Sequence, residues 1–428
     1  MRAGAPWWYE ALWRTALPFA LLRVWWRGRR EPGYRMHVGE RLGRYDSPPE
    51  RVPMIWVHAV SVGETRAAKP LIDALGRQFP DRRILLTHMT AAGRETGRSL
   101  FSDRVIQAFL PYDTSFALNR FFDRFAPQFG VLMETEIWPN LILRAASRGV
   151  PLYLVNARLS QKSADGYARL PTLTRATLQS LAGVSAQTDA DARRLTALGA
   201  REVNVAGNIK FDVAVPPANA ERAQSLREWL GPTRRVWMAG STRDGEEAML
   251  LEALRRSPLP GDALLVVVPR HPQRFDEVAR LLDRSGVRYV RRSGASPVGA
   301  GTAIVLGDTM GEMLAYYAAS DVAFIGGTLL PLGGQNLIEP LAVGTPVVIG
   351  PSTFNFAEIA RTAVEGGAAM RADNADAVVS SVAALLDDPD RRARMAGAGK
   401  KLLDAHRGAT ERTMSWLASR IAGPANGR

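Results

Sequence analysis

The chain has 428 residues, with 46% hydrophobic and 23% charged side chains and a formal net charge of +13. That balance excludes a disordered, fibrous or polytopic membrane protein. The complete absence of cysteine excludes disulfide scaffolds, zinc ribbons, iron–sulfur sites and thiol catalysis. Five histidines (His37, His58, His88, His271 and His406) are scattered without ligand spacing, so no metal site is expected.

The chain begins with a tryptophan-rich apolar stretch, residues 7–30, that ends in Arg27, Arg29 and Arg30. Glu10, Arg14, Pro18 and Arg23 interrupt it, which makes a poor transmembrane span, and no small-residue cleavage site follows to mark a signal peptide. Aromatic residues at both ends and trailing cations suit a helix lying in an anionic cytoplasmic leaflet. The alternative is a hydrophobic helix packed on its own domain.

From Val52 onward, short β-branched runs alternate with amphipathic stretches. Strands are predicted at 54–60, 83–89, 104–110, 130–134, 151–157, 183–187 and 203–207. VAVPPANA (213–220) breaks the rhythm with two prolines. Strands resume at 236–240, 263–269, 303–308, 321–327 and 345–350. Continuous apolar strands separated by helices predict an α/β fold with parallel sheets. The expected division is an N-terminal anchoring segment (1–50), a Rossmann-like domain (51–214), a linker (215–222) and a second Rossmann-like domain (223–428). Two such domains imply a cleft, with ligands beyond the carboxyl ends of the strands.

Residues with chemical potential lie just after those strands. In HAVSVGE (58–64), Glu64 opens a helix, as a general base or as a first-turn acid that suits the helix dipole. METEIWPN (133–140) places Glu134 and Glu136 at a strand end. Strand alternation puts both on one face, where one is raised in pKa by the other, or else they form a hydrogen-bonded acidic turn. In GNIKFD (207–212), Lys210 supplies a cation for a departing phosphate or carboxylate, or pairs with Asp212 or another acid.

The second half follows the same logic. VPRHPQR (268–274) offers Arg270 for phosphate. GDTMGEM (307–313) and GGTLLPLGGQNLIEP (326–340) are glycine-bearing turns into helices. Glu339 sits where a carboxylate can bind ribose hydroxyls. Neither GxxxxGK[ST] nor GxGxxG occurs, which argues against a P-loop NTPase and a standard nicotinamide enzyme. No aromatic–basic motif appears outside the N-terminal stretch, so nucleic acid is not an expected partner.

Taken in order, HAVSVGE, METEIWPN, NARLS (156–160), GNIKFD, VPRHPQR, GDTMGE and GGQNLIEP resemble the bacterial Kdo (3-deoxy-D-manno-octulosonic acid) transferases. The resemblance extends to the N-terminal basic run and to Tyr34–Arg41, and so covers nearly the whole chain. It implies a GT-B fold, two Rossmann-like domains facing across a cleft with a membrane-associated N-terminal helix. It also implies inverting, metal-independent transfer of Kdo from CMP-Kdo to a lipid A precursor, without a cofactor, on the cytoplasmic side of the inner membrane. By the same resemblance Glu64 is the proton acceptor, and Glu134 and Lys210 stabilise the transition state. Pro269, Arg270, Met310, Gly311, Glu312, Asn336, Leu337, Ile338 and Glu339 contact CMP. Two departures stand out: Gln335 where the family pattern has histidine, and Arg243–Asp244 where it has His–Glu. Another GT-B glycosyltransferase, for example one with a UDP-sugar donor and a different membrane lipid acceptor, and a non-enzymatic nucleotide- or phospholipid-binding scaffold are the alternative readings.

Overall fold

The computed structural model describes residues 4–29, 31–45, 52–213, 215–259, 261–294 and 296–421; Arg30, counted above among the trailing cations, lies outside them. The chain divides into two compact units. One comprises the chain up to Asp212 together with the segment from Gly408 onward; the other runs Val213–Arg407.

The first unit contains β1 (Met54–His58), β2 (Arg83–His88), β3 (Val105–Phe109), β4 (Phe129–Met133), β5 (Leu152–Ala157), β6 (Gly183–Ala186) and β7 (Val203–Val205). They form one parallel sheet in the order β3-β2-β1-β4-β5-β6-β7. Both faces are covered: Trp56 packs with Phe121 and Leu141 on one side, Ile55 and Val57 with Leu71 and Leu75 on the other. This double burial is why the strands read as unbroken apolar runs.

The second unit contains β8 (Arg235–Thr242), β9 (Ala263–Pro269), β10 (Tyr289–Arg291), β11 (Ile304–Leu306), β12 (Val322–Ile325), β13 (Val347–Ile349) and β14 (Ala369–Arg371). Its sheet is also parallel, in the order β10-β11-β9-β8-β12-β13-β14. The predicted strands are present to within a residue or two. β10 and β14 are additional; each is a short edge strand with no run of buried residues for a pattern to reveal.

Two helices complete the first unit. The C-terminal helix, Ala409–Ile421, buries Met414 and Leu417 against the sheet face carrying Ile55 and Val57. Asp212 fixes its start by accepting from Gly408 N–H at 2.8 Å and Thr410 N–H at 2.6 Å. The N-terminal helix, Trp7–Arg27, packs Trp13, Leu17, Ala20, Leu21 and Val24 near Tyr34 and Tyr112. Its other side is a stripe of Trp8, Leu12, Phe19, Leu22 and Trp26, all more than a third exposed and spaced to share one helical face. The guanidinium groups of Arg29 and Arg35 lie 4.5 and 5.0 Å from the Trp25 ring centre. Among the described residues, no helix is long and apolar enough to cross a membrane.

Candidate active site

In the first sheet the strand order reverses once, between β1 and β4, and the second sheet has the same kind of reversal between β8 and β12. The carboxyl ends of strands flanking such a reversal are where open α/β sheets bind ligands, because the crossovers on either side leave a crevice there. Glu64 and Glu134 follow β1 and β4, and the other candidates follow β7, β9, β11 and β12.

Past β1 the chain enters the short helix Val62–Ala67, capped by Ser61. Glu64, at its third position, folds back on the cap. Its Oε2 accepts from Val60 N–H at 2.8 Å and its Oε1 from the Ser61 hydroxyl at 3.0 Å. This is a variant of the capping box, and it fixes the rotamer of a half-buried carboxylate. Burial, then the nearby charges of Glu134 and Glu136, push its pKa up to about 7 despite those bonds.

Past β4 the strand ends at Met133, and Glu134 turns into the left-handed region with φ of 60°. Glu134 and Glu136 therefore do not share a strand face as alternation predicts; a strained turn presents them separately. Lys210, in the one-turn helix Ile209–Phe211 after β7, ion-pairs with Glu134 at 2.7 Å. Asp212, the other partner considered for Lys210, is occupied by the C-terminal helix. Glu136 accepts from the Trp138 indole and lies 3.8 Å from Nε2 of fully buried His58. Burial depresses the His58 pKa to about 3, so its ring is neutral at physiological pH.

In the second unit, Ser241, next to last in β8, is also left-handed with φ of 56° and breaks the pairing with β9, and Gly326 and Gly327 follow the end of β12. The two turns touch: a Cβ on Gly326 would lie 2.3 Å from the Ser241 carbonyl oxygen, so only glycine fits. Glu246, fully buried, ties them together, accepting from the backbone N–H of Arg243 (2.9 Å), Gly327 (2.6 Å) and Leu329 (3.0 Å). Glu247 accepts from Thr242 and, through both oxygens, from Arg274. Sequence reasoning missed both acids; the only signal was a Glu pair directly after Gly245, which reads as ordinary first-turn acids.

Arg270, just after β9, donates through Nε to Gln335 at 3.1 Å, so the residue that departs from the family pattern orients the expected phosphate ligand. Of the other departure, Asp244 is exposed and 3.7 Å from Arg274. Met310 is exposed and Gly311 has φ of 82°, while Glu312 is held by Arg292 at 2.9 and 3.2 Å and by the Thr309 hydroxyl. Asn336 donates to Glu339 at 3.2 Å and accepts from Ile338 N–H at 3.0 Å, opening the helix Ile338–Ala342. Leu337 and Ile338 are buried beneath it, and Pro269 ends β9. Among the described residues, no group of three or more metal-ligating side chains is present.

The family model described as 3-Deoxy-D-manno-octulosonic-acid transferase (kdotransferase) matches residues 36–213, and that of Glycosyl transferases group 1 matches residues 294–402. The 3-deoxy-D-manno-octulosonic acid transferase of Bordetella pertussis is 45% identical over 96% of this chain and 98% of its own. That of Haemophilus influenzae is 36% identical over 96% of this chain and 97% of its own. The crystal structure of a glycosyltransferase from Rickettsia africae aligns with a TM-score of 0.58 at 12% identity, over 88% of this chain and all of that one, a likeness of fold alone.

Proposed function

The chain belongs to the Kdo transferase family and is a glycosyltransferase of lipopolysaccharide biosynthesis, and from that premise we propose that it takes Kdo from CMP-Kdo and passes it, with inversion and without a metal, to a lipid A precursor. Glu64 is the base. A carboxylate with a pKa of about 7 is half ionised at neutral pH and still basic enough to take the proton of an attacking sugar hydroxyl. The hydroxyl oxygen bonds to the anomeric carbon, the bond from that carbon to the CMP phosphate oxygen breaks, and CMP leaves with the electron pair. Glu134 offsets positive charge developing at the anomeric carbon, and Lys210, fixed beside it, stabilises negative charge on the donor. The observation that carries this reading is the meeting of Glu64, Glu134 and Lys210 at the first unit's sheet reversal.

Donor binding is assigned to the second unit. Arg270, oriented by Gln335, takes the phosphate. Pro269, the turn Met310–Glu312 and the segment Asn336–Glu339 contact the rest of CMP. The exposed apolar stripe of the N-terminal helix, with exposed Arg23, Arg27 and Arg29 near its end, lies in the anionic cytoplasmic leaflet of the inner membrane, where the acceptor resides.

The test is mass spectrometry of a lipid A precursor incubated with CMP-Kdo and the purified protein. The expected result is acceptor heavier by one or more Kdo residues, with CMP released in equal amount. Unchanged acceptor, or a reaction blocked by UDP rather than by CMP, overturns the assignment of donor and acceptor.

A further inference from the structure

Glu136 lies beside the proposed reacting groups, and its neighbours lead back to the N-terminal helix. The Trp138 indole N–H donates to Glu136 at 2.5 Å and favours its charged form, which burial and Glu134 oppose. The Trp138 ring lies 5.8 Å from the ring of Trp13.

The same N-terminal helix grips the next residues, in the first turn of the helix Pro139–Ser147, through polar contacts. The Tyr9 hydroxyl donates to Asp113 at 2.8 Å, and the Asp113 carboxylate also accepts from the backbone N–H of Asn140 (3.0 Å) and Leu141 (2.8 Å). Glu10 accepts from the Asn140 amide at 3.0 Å and from the Ser115 hydroxyl at 2.8 Å. Asn140 is fully buried and Asp113 is 2% exposed, so water competes little for these bonds. Beside its apolar inner face, the helix thus commits Tyr9, Glu10 and Trp13 to the segment that carries two of the three clustered acids.

We propose that Trp138 is a positioning residue for Glu136, and that Tyr9, Glu10 and Trp13 brace the 134–141 segment through Trp138, Asp113 and Asn140, so that the lipid-facing helix also sets the geometry beside Glu64. The inference rests on the reading of Glu64 and Glu134 as reacting groups.

The test uses the full-length protein and a detergent-solubilised acceptor, so that turnover does not depend on membrane attachment. Trp138→Phe keeps an aromatic ring facing Trp13 and deletes the N–H; Glu10→Gln keeps the shape and removes the charge. Each is expected to lower kcat about tenfold, equivalent to ~1.4 kcal/mol, with donor KM, CMP affinity and melting temperature unchanged in Trp138→Phe. Wild-type kcat in both variants overturns the proposal. So does a loss of kcat in Trp138→Phe matched by loss of CMP binding or by a lower melting temperature, the mark of a general packing role. Glu64→Gln, measured in parallel, separates this from the parent reading. Full activity there overturns the base assignment, whereas an inactive Glu64→Gln beside a wild-type Trp138→Phe overturns the positioning role alone.

Discussion

Past β1, Glu64 keeps company with Glu134 and Glu136, and burial together with their charge lifts its pKa to about 7. Past β8, Glu246 and Glu247 occupy the corresponding place in the second sheet, yet donors surround them. Three backbone amides hold the first, and Arg274 with Thr242 holds the second. Glu312 likewise has Arg292. Both units therefore deliver carboxylates to the same topological position, and the partners decide what each can do. Burial raises the pKa of Glu246 as it does that of Glu64; the difference lies in the partners, since three backbone amides make Glu246 a fastener for glycine-rich backbone while Glu64 stands among other acids.

The widest gap between the two regions should appear in turnover. Glu64→Ala is expected to reduce transfer by roughly 10²–10⁴-fold, the usual contribution of a positioned base, while CMP affinity, assigned above to the second unit, stays as in the parent protein. Steady-state kinetics beside calorimetric CMP titration checks this, and retained turnover breaks the contrast. The pH profile sharpens it: Glu64 must be ionised to accept a proton, so kcat/KM should rise with pH through about 7 and fall about tenfold per unit below that. Arg270→Ala should act on the other side, raising donor KM on the order of 10–100-fold, as expected for losing a charge-assisted hydrogen bond of ~1.5–3 kcal/mol. Glu246→Ala is the mildest on chemistry and acts on stability. It strands the buried Gly327 N–H, at ~1–3 kcal/mol, and two part-buried ones, so calorimetry should show a melting temperature several degrees lower while the acid limb of the pH profile does not move.

Much of this was readable in advance, for a physical reason. Strands covered on both faces carry few polar residues, so their apolar runs and the residues just beyond them stand out; the candidates Glu64, Glu134, Lys210 and Arg270 were picked out that way. What escaped depended on backbone geometry or on distant parts of the chain. Strand alternation placed Glu134 and Glu136 on one face, but a left-handed Glu134 ends the strand first. Lys210 had several acids within sequence reach, and only the fold selects Glu134, since Asp212 is taken by residues almost two hundred positions away. Glu246 and Glu247 looked like dipole-matching first-turn acids because the amides and arginine that claim them come from other loops. The Trp13–Trp138 contact spans too much chain for any local pattern to announce it.

The return of the C-terminal helix to the first sheet has a practical corollary for dissecting the gene. The second unit is an insertion: its start and finish adjoin at Asp212 and Gly408, where a carboxylate and an amide lie 2.8 Å apart. Excising codons 213–407 and rejoining the cut with a short flexible loop should yield a self-sufficient first half. Stopping translation after 407 instead would strip Met414 and Leu417 from the sheet and harm the half farther away in sequence.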